Sequence, residues 1–254
     1  MAVKQTKQLG KQTVTTTVAA NEFFVKVNDT NKVTLIKLND IKAALLAGLD
    51  LNAMEDGIFV VTHRNSDGYP FMYKPHKWPS IQASGEIATG VAVVEGGKIL
   101  VIAPTEAASL LWSSAAVTGG GVASTDRLVA LGDFAGKDNT AAQIQHAECQ
   151  GAKYAPGFCA QYSRPNTAGT GLLAGKWWLP SVGEMMMIYA NMIKINYALS
   201  LIEGAQPLSE AYYWTSTESG PATAWILALS SGTMLSLAKA TTRLPVRPVS
   251  AFIR

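Results

Sequence analysis

The sequence is poor in charge, and this limits the ligands that its surface can bind. Charged residues make up 15% of the 254-residue chain, against about 25% in an average soluble domain. The 21 basic and 18 acidic residues give a net charge of +3 and are scattered, without the run of like charges that a phosphate-binding stripe needs. We therefore expect no nucleic-acid ligand, and the sparsely charged surface favours oligomers or tight protein partners.

Long apolar runs are also missing. No stretch approaches the roughly 20 consecutive apolar residues that a membrane-spanning helix requires, so we expect no membrane insertion. Residues 1–20 contain lysines and threonines where a secretory signal needs an unbroken apolar core. This composition predicts that the chain is not exported by the Sec pathway.

The usual catalytic and metal-binding patterns do not occur. The three histidines, His63, His76 and His146, form no HxxxH, HExxH or His-Cys arrangement of the kind that binds zinc. Sequences of the types GxSxG, GxxxxGK[ST] and GxGxxG opening a helix are also missing. Acidic pairs such as Asp126 with Asp133 lie in polar, loop-like stretches, where solvated side chains are expected. We therefore expect no catalytic residue, no metal and no cofactor.

Cysteine is scarce as well. Cys149 and Cys159 are the two cysteines, and a chain made in the cytoplasm without an export signal usually keeps its thiols reduced. We expect two small buried thiols in preference to a disulfide, and a disulfide in preference to a redox or metal role.

Residues 22–48 predict a small ββα unit. The apolar runs Phe23–Val27 and Val33–Leu38 flank the polar turn Asn28–Asn31, which is typical of a hairpin. A short helix is predicted over Ile41–Ala47, because a capping asparagine and aspartate precede it and a glycine follows it.

This unit is small for an independent fold. A lone hairpin and a two-turn helix are both marginal in water. We therefore interpret residues 1–52 as an attachment or oligomerisation module, with a homotrimer as the expected assembly, followed by one larger domain over residues 53–254. An extension that packs on the main domain is an equally good alternative.

The larger domain begins with short strands separated by turns. Its clearest hairpin joins Val91–Val94 to Lys98–Ala103, because Gly96–Gly97 supplies positive φ angles without steric cost. Small and apolar residues recur at helical spacing between Asn139 and Tyr162, interrupted by glycines and a proline, which predicts two short helices.

The segment Trp177–Glu184 is the strongest local signal. Ser181 followed three residues later by Glu184 is a capping box, the signature of a helix N-terminus. Apolar residues continue at helical spacing as far as Leu199, so a long helix is predicted with its methionines in the core. Strands are predicted again after Gly204, ending with the run Val246–Phe252.

Three motifs of the larger domain resemble a known family. WWLPSVGEM, YYWTSTESGPATAW and the terminal VRPVSAF resemble, in wording and in order, the C-type-lectin-like domains of bacterial adhesins, phage receptor-binding proteins and retroelement-diversified variable proteins. The resemblance covers residues 57–254. It implies an α+β fold in which two helices flank twisted antiparallel sheets.

The resemblance extends distantly to formylglycine-generating enzymes, which place catalytic cysteines late in the chain. No cysteine follows Cys159 here, and the EPN and WND calcium triplets of sugar-binding animal lectins are also missing. The resemblance therefore implies a binding protein that is not an enzyme, and it does not imply calcium-dependent sugar binding.

The resemblance also implies which residues hold the fold. The scaffold positions, together with the capping Ser181, are Trp178, Leu179, Pro180, Glu184, Trp214, Ser216, Thr217, Glu218, Trp225, Gly232, Arg247 and Val249. Among them, Arg247 is expected to pair with Glu218 or Glu184.

Ligand contact is implied for the positions between the scaffold residues, which are expected to be exposed. These positions are Ser219, Pro221, Thr223, Ile226, Ala228, Ser230, Thr233, Leu235, Leu237 and Thr241. Relatives that bind varied partners often have aromatic or polar side chains there. The bland and partly apolar set in this chain indicates a fixed protein neighbour.

These features together predict a virion structural or fibre-type protein. An adhesin-like fold without an export signal suits a phage, which releases its proteins by lysis. The expected partners are copies of the chain, other virion or surface proteins, and a host-surface receptor or glycan. A bacterial surface or secreted adhesin with an unusual export signal is the alternative, located at the bacterial surface or outside the cell instead of on the phage particle.

Overall fold

The computed structural model of the protein describes residues 23–27, 33–37 and 55–251. The chain divides into two compact units, Met1–Met54 and Glu55–Arg254. In the first unit, strands β1 (Phe23–Val27) and β2 (Val33–Lys37) pair antiparallel, which confirms the predicted hairpin. The predicted helix Ile41–Ala47 lies outside the described residues.

A five-stranded antiparallel sheet organises the second unit, in the order β14–β6–β5–β3–β4. Its strands are β3 (Gly57–His63), β4 (Pro70–Tyr73), β5 (Ala88–Glu95), β6 (Lys98–Ile102) and β14 (Val249–Ser250). The hairpin of β5 and β6 is confirmed, and its turn glycines have φ angles of 55° and 75°, as a two-residue hairpin loop requires. Because β14 pairs with β6, the end of the chain returns to the sheet with which the unit begins.

A three-stranded antiparallel sheet contains the late strands in the order β10–β11–β12. They are β10 (Tyr212–Gly220), β11 (Thr223–Ala228) and β12 (Met234–Ala238). Two small pairs complete the sheets: β7 (Ala107–Leu110) with β13 (Leu244–Val246), and β8 (Arg164–Pro165) with β9 (Gly171–Leu172).

The single closing strand predicted from Val246 to Phe252 is wrong. The chain forms two short strands there, β13 and β14, which pair in different sheets. Arg247 and Pro248 separate them, and a proline has no N–H to contribute to a continuous ladder.

Among the described residues, one long α-helix and four short ones accompany the sheets. They are α1 (Trp78–Ala83), α2 (Arg127–Leu131), α3 (Gly136–Gln143), α4 (Ala155–Gln161) and α5 (Val182–Ser200). The unit is thus α+β. The two short helices predicted between residues 139 and 162 are confirmed as α3 and α4, whereas only α5, with 19 residues, has the length of a flanking helix among the described residues.

The capping box at the start of α5 is confirmed. The Ser181 side chain accepts a hydrogen bond from the main-chain N–H of Glu184, and the Glu184 carboxylate accepts one from the N–H of Ser181 at 2.8 Å. Met185, Ile188 and Ile195 are fully buried, as the helical spacing of the apolar residues predicts. Two orphan amides at the helix start are therefore satisfied without water.

Replacing Ser181 tests the importance of this helix start. The Ser181 hydroxyl also donates to the main-chain oxygen of Asp133 at 2.7 Å. We expect Ser181→Ala to lower the free energy of unfolding by about 1–2 kcal/mol, measured by urea denaturation at pH 7. Ser84→Ala is the matched control, because the exposed Ser84 hydroxyl bonds only to a local carbonyl oxygen. Equal stability of the two variants would contradict the assignment.

Two hydrophobic clusters form the core. The larger lies between α5 and the five-stranded sheet, and it includes Trp178, Met185, Trp225 and Leu227. The smaller includes Trp112, Cys149, Cys159, Trp214, Ala224 and Ile226. Strand β11 contributes to both clusters, because its side chains alternate between the two faces of the sheet.

The two cysteines lie in the smaller cluster. Both are buried and free, which confirms the expectation of two thiols. Burial raises the pKa of Cys149 to about 12, so this thiol stays protonated at neutral pH and is a poor nucleophile.

Candidate partner-binding surface

The ten predicted contact positions lie on β10, β11, β12 and the turns that join them. Seven of them are exposed or half-buried: Pro221, Thr223, Ser230, Thr233, Leu235, Leu237 and Thr241. We call these seven residues the late-strand surface. None of them carries a charge.

The other three positions are buried, and their expected exposure is wrong. Ser219 is 8% exposed, and Ile226 and Ala228 are each 1% exposed. For Ile226 and Ala228 the reason lies in the strand order, since β11 is the central strand and both of its faces pack against core clusters. Ser219 lies on β10, where its hydroxyl donates to the Thr223 hydroxyl at 2.9 Å. The side chains of β11 alternate between two faces, but from Ala224 to Ala228 both faces are buried.

The edge strand β12 presents the middle of the late-strand surface. Leu235 pairs with Ile226 and Leu237 pairs with Ala224 across the ladder, so these four side chains point to the same face. Leu235 is nevertheless 43% exposed, because no strand lies beyond β12 in its sheet. Position in the sheet, and not the side chain itself, decides which of these residues a partner can touch.

The two ends of the surface are turns. Ser230 and Thr233 belong to the turn between β11 and β12, where Gly232 has a φ of 70°. A Cβ at Gly232 would lie 2.9 Å from the Tyr189 ring, so only glycine lets this turn pack on α5. Pro221 and Thr241 lie at the opposite end of β12, a separation of roughly 17 Å for a five-residue strand.

A buried ion pair lies at the end of β12 that carries Pro221 and Thr241. Lys239, directly after β12, contacts the Glu218 carboxylate, and the exposed fractions of the two side chains are 0% and 1%. Its ammonium also donates to the main-chain oxygens of Val117 at 2.7 Å and Pro221 at 3.2 Å, and lies 4.3 Å from the centre of the Trp112 ring. Burial lowers the pKa of Lys239, and the contact with Glu218 opposes that shift.

A glycine-rich loop closes over this ion pair. The main-chain N–H of Gly119 donates to the Glu218 carboxylate at 2.9 Å. A Cβ at Gly119 would lie 2.8 Å from Glu218 Oε1 and 2.7 Å from Gln143 Cγ. The sequence predicts a loop here, but the need for glycine comes from the close approach of its main chain to the carboxylate.

Asp133 is a structural hub, which corrects the expectation that it is solvated. It is 4% exposed, and its Oδ2 accepts hydrogen bonds from Thr217 at 2.6 Å and Asn139 at 2.9 Å. Its Oδ1 accepts from the N–H of Ala135. The bond to Thr217 ties β10 to the loop before α3. The neighbouring Gly132 and Phe134 do not reveal that these distant partners exist.

The expected partner of Arg247 is also wrong. Arg247 pairs with Glu106 at 3.0 Å and not with Glu218 or Glu184. Glu218 is bound to Lys239, and Glu184 is engaged in the capping box. The guanidinium also donates to the main-chain oxygen of Ala103 at 3.0 Å. Glu106 is an isolated acidic residue in sequence, and no local pattern indicates its role.

The indoles of the scaffold set are hydrogen-bonded. Each scaffold indole has a hydrogen-bond acceptor: Trp178 donates to Glu184, Trp214 to Leu110 O at 2.9 Å, and Trp225 to Ser124 O at 2.8 Å. Burial raises the pKa of Glu184 to about 7, and hydrogen bonds from Ser181 and Trp178 oppose the rise.

Within the described part of the chain, no cluster of three or more metal-ligating side chains occurs, and no helix is long and apolar enough to cross a membrane. A cleft of about 480 Å³ contains Glu86, Arg164 and Glu203. The Arg164 Nε atom in it donates to the main-chain oxygen of Ala88 at 3.1 Å.

Comparisons with known proteins give partial similarity to solved structures. No protein-family model matches the chain, and no curated protein matches it. Among solved structures, a fimbrial protein from Bacteroides ovatus ATCC 8483 is similar over 60% of this chain, with a TM-score of 0.41 and 16% sequence identity. The aligned part is 35% of that protein, so this chain spans about a third of its length.

Proposed function

We propose that the protein is a non-enzymatic, C-type-lectin-like binding protein that serves as a structural or fibre-type component of a phage particle. Its late-strand surface contacts a protein partner, and residues 1–52 dock on the particle or join copies into a trimer. The observation that supports this most directly is that the late-strand surface carries no charge and lies on strands with buried polar anchors. These anchors are the Lys239–Glu218 ion pair and the hydrogen bond from Thr217 to Asp133.

The chemistry of the surface suits a protein partner. Leu235 and Leu237 lie in the middle, and hydroxyl groups of serine and threonine surround them. Protein interfaces have this arrangement, with an apolar centre depleted of charge and a polar rim. The seven residues contain no aromatic ring on which a sugar could stack.

The rigidity of the surface lowers the cost of binding. Pro221 is held by the Lys239 ammonium, and the turn at Gly232 is packed on Tyr189. A surface whose loops are already ordered loses little conformational entropy when a partner binds. This arrangement favours a fixed, well-defined neighbour.

Location is tested by immunogold electron microscopy with antibodies to the purified protein. We expect gold particles on intact phage particles from the producing culture. Labelling of the envelope of uninfected cells would instead support the alternative, a bacterial surface adhesin. Absence of label from both would overturn the proposal.

The binding surface is tested by photo-crosslinking at Ser230 and Thr241, one residue at each end of the late-strand surface. We expect both positions to crosslink to a different protein on intact particles, in addition to any crosslink to a second copy of this chain, with the products identified by mass spectrometry. Ser80 is the control position, because it is exposed on α1 and outside the surface. Equal crosslinking from Ser80, or none from the two test positions, would contradict the assignment.

A further inference from the structure

Among the residues that the structure describes, no strand pairs with the outer edge of β12. Strand β12 reads Met-Leu-Ser-Leu-Ala, without a charge or a proline, and Leu235, Ser236 and Ala238 are exposed. Proteins usually protect an exposed edge with lysine, proline, a bulge or a covering segment, because its free main-chain groups can pair with another chain.

Other sheet edges of the same unit are protected. Strand β4 begins with Pro70 and is followed by Lys74. Strand β10 has irregular register near Glu218, and main-chain bonds to the oxygens of Val122 and Pro180 cover it. The contrast indicates that the open edge is specific to β12 and is not shared by the edge strands β4 and β10.

The free groups of β12 follow from its pairing with β11. The N–H of Ala228 donates to Thr233 O, and the N–H of Lys239 donates to Ala222 O, so the odd-numbered residues of β12 bond to β11. In an antiparallel ladder the residues between them turn their N–H and C=O groups the other way. Met234 and Ser236 therefore direct both groups to the open edge, and so does the N–H of Ala238, whose main-chain oxygen accepts from the N–H of Thr242 at 3.2 Å.

We propose that β12 pairs antiparallel with β12 of a second copy of this chain, about a two-fold axis through Ser236. Ser236 then lies opposite Ser236 of the second copy, and Met234 lies opposite Ala238. The outward-facing residues form up to about four main-chain hydrogen bonds, and the two three-stranded sheets become one sheet of six strands. This inference rests on the proposed function, because β12 carries Leu235 and Leu237, the middle of the late-strand surface, and its edge adjoins that surface.

The composition of β12 favours its own copy over an unrelated strand. Two-fold pairing places every side chain near a self-related position, so a charge near the axis would meet its like. Here the axis residue is a small serine, the long Met234 faces the small Ala238, and Leu235 faces Leu237. Each of these cross-strand pairs is compatible with close packing.

A charge placed at position 236 tests the axis. In full-length protein we expect Ser236→Lys and Ser236→Glu each to weaken the pairing by about tenfold or more, because like charges then meet directly across the strands. An equimolar mixture of the two variants should recover the pairing as a Lys–Glu heteropair. Light scattering over a concentration series measures mass, and native mass spectrometry identifies the heteropair.

A matched pair of neutral variants separates edge pairing from folding. Ser236→Pro removes the outward N–H and leaves the ladder to β11, which uses residues 235 and 237, intact. Ser236→Ala retains that N–H. We expect the proline variant to lose the pairing and the alanine variant to keep it, with similar thermal melts.

Two results would overturn the inference. One is a mass for the lysine and proline variants equal to that of the parent at every concentration. The other is failure of the lysine and glutamate variants to pair when mixed. In either case crosslinks from Ser230 and Thr241 to a different protein would still support the proposed function, so the two failures are distinguishable.

Discussion

Glu218→Leu is expected to destabilise the protein by about 3–5 kcal/mol. The change leaves the ammonium of Lys239, whose side chain is 0% exposed, without its counter-charge in the core. The oxygens of Val117 and Pro221 and the Trp112 ring remain as partners, but none of them carries a full negative charge. Urea denaturation with fluorescence detection at pH 7 measures the loss.

The double variant Glu218→Leu with Lys239→Met is the matched control. Removing both charges removes the desolvation penalty with them, and apolar replacements of buried ion pairs are often neutral or stabilising. We expect the double variant to be more stable than Glu218→Leu alone, and the double-mutant cycle to give a coupling energy of about 2 kcal/mol or more. Additive losses would show that the two side chains act independently.

The same substitution should loosen one end of the late-strand surface. The Lys239 ammonium links the main chain at Val117 and Pro221 to the end of β12. In Glu218→Leu we expect faster amide hydrogen exchange for Gly119, whose N–H loses its carboxylate acceptor. Unchanged exchange there would show that the loop is held by other contacts.

Glu184 is expected to make the protein less stable at pH 8 than at pH 5. Burial raises the pKa of Glu184 from its ordinary value of 4.5 to about 7. Between these two values the folded protein binds a proton that the unfolded chain has released. The free energy of unfolding therefore falls as the pH rises through this window, by about 3 kcal/mol from this group.

Glu184→Gln tests this pH dependence. A glutamine keeps an acceptor oxygen for the Ser181 N–H and can serve in a capping box, but it does not titrate. We expect the variant to lose the decline between pH 5 and pH 8, measured by urea denaturation at four pH values. Glu95→Gln is the control, because Glu95 is exposed, and it should keep the decline of the parent. Parallel curves for Glu184→Gln and the parent would contradict the prediction.

Interactions between residues close in the chain were determined by the sequence alone. The start of α5 follows from Ser181 and Glu184, and the β5–β6 hairpin follows from its two glycines. The hairpin of β1 and β2 follows from two apolar runs around a polar turn. The short helices α3 and α4 follow from apolar residues at helical spacing, interrupted by glycines and a proline. Capping residues and positive φ angles act over three or four positions, so the residues that specify them can be identified without knowledge of the fold.

The tertiary structure decided which residues meet and which are reached by solvent. Arg247 forms its ion pair with Glu106, and Asp133 accepts a hydrogen bond from Thr217. Ile226 and Ala228 are buried because β11 lies between two strands. A buried charge needs a counter-charge, but its identity depends on which distant segments pack together. Alternation along a strand likewise separates two faces, and only the order of strands in the sheet determines whether a face meets a partner, solvent or the core.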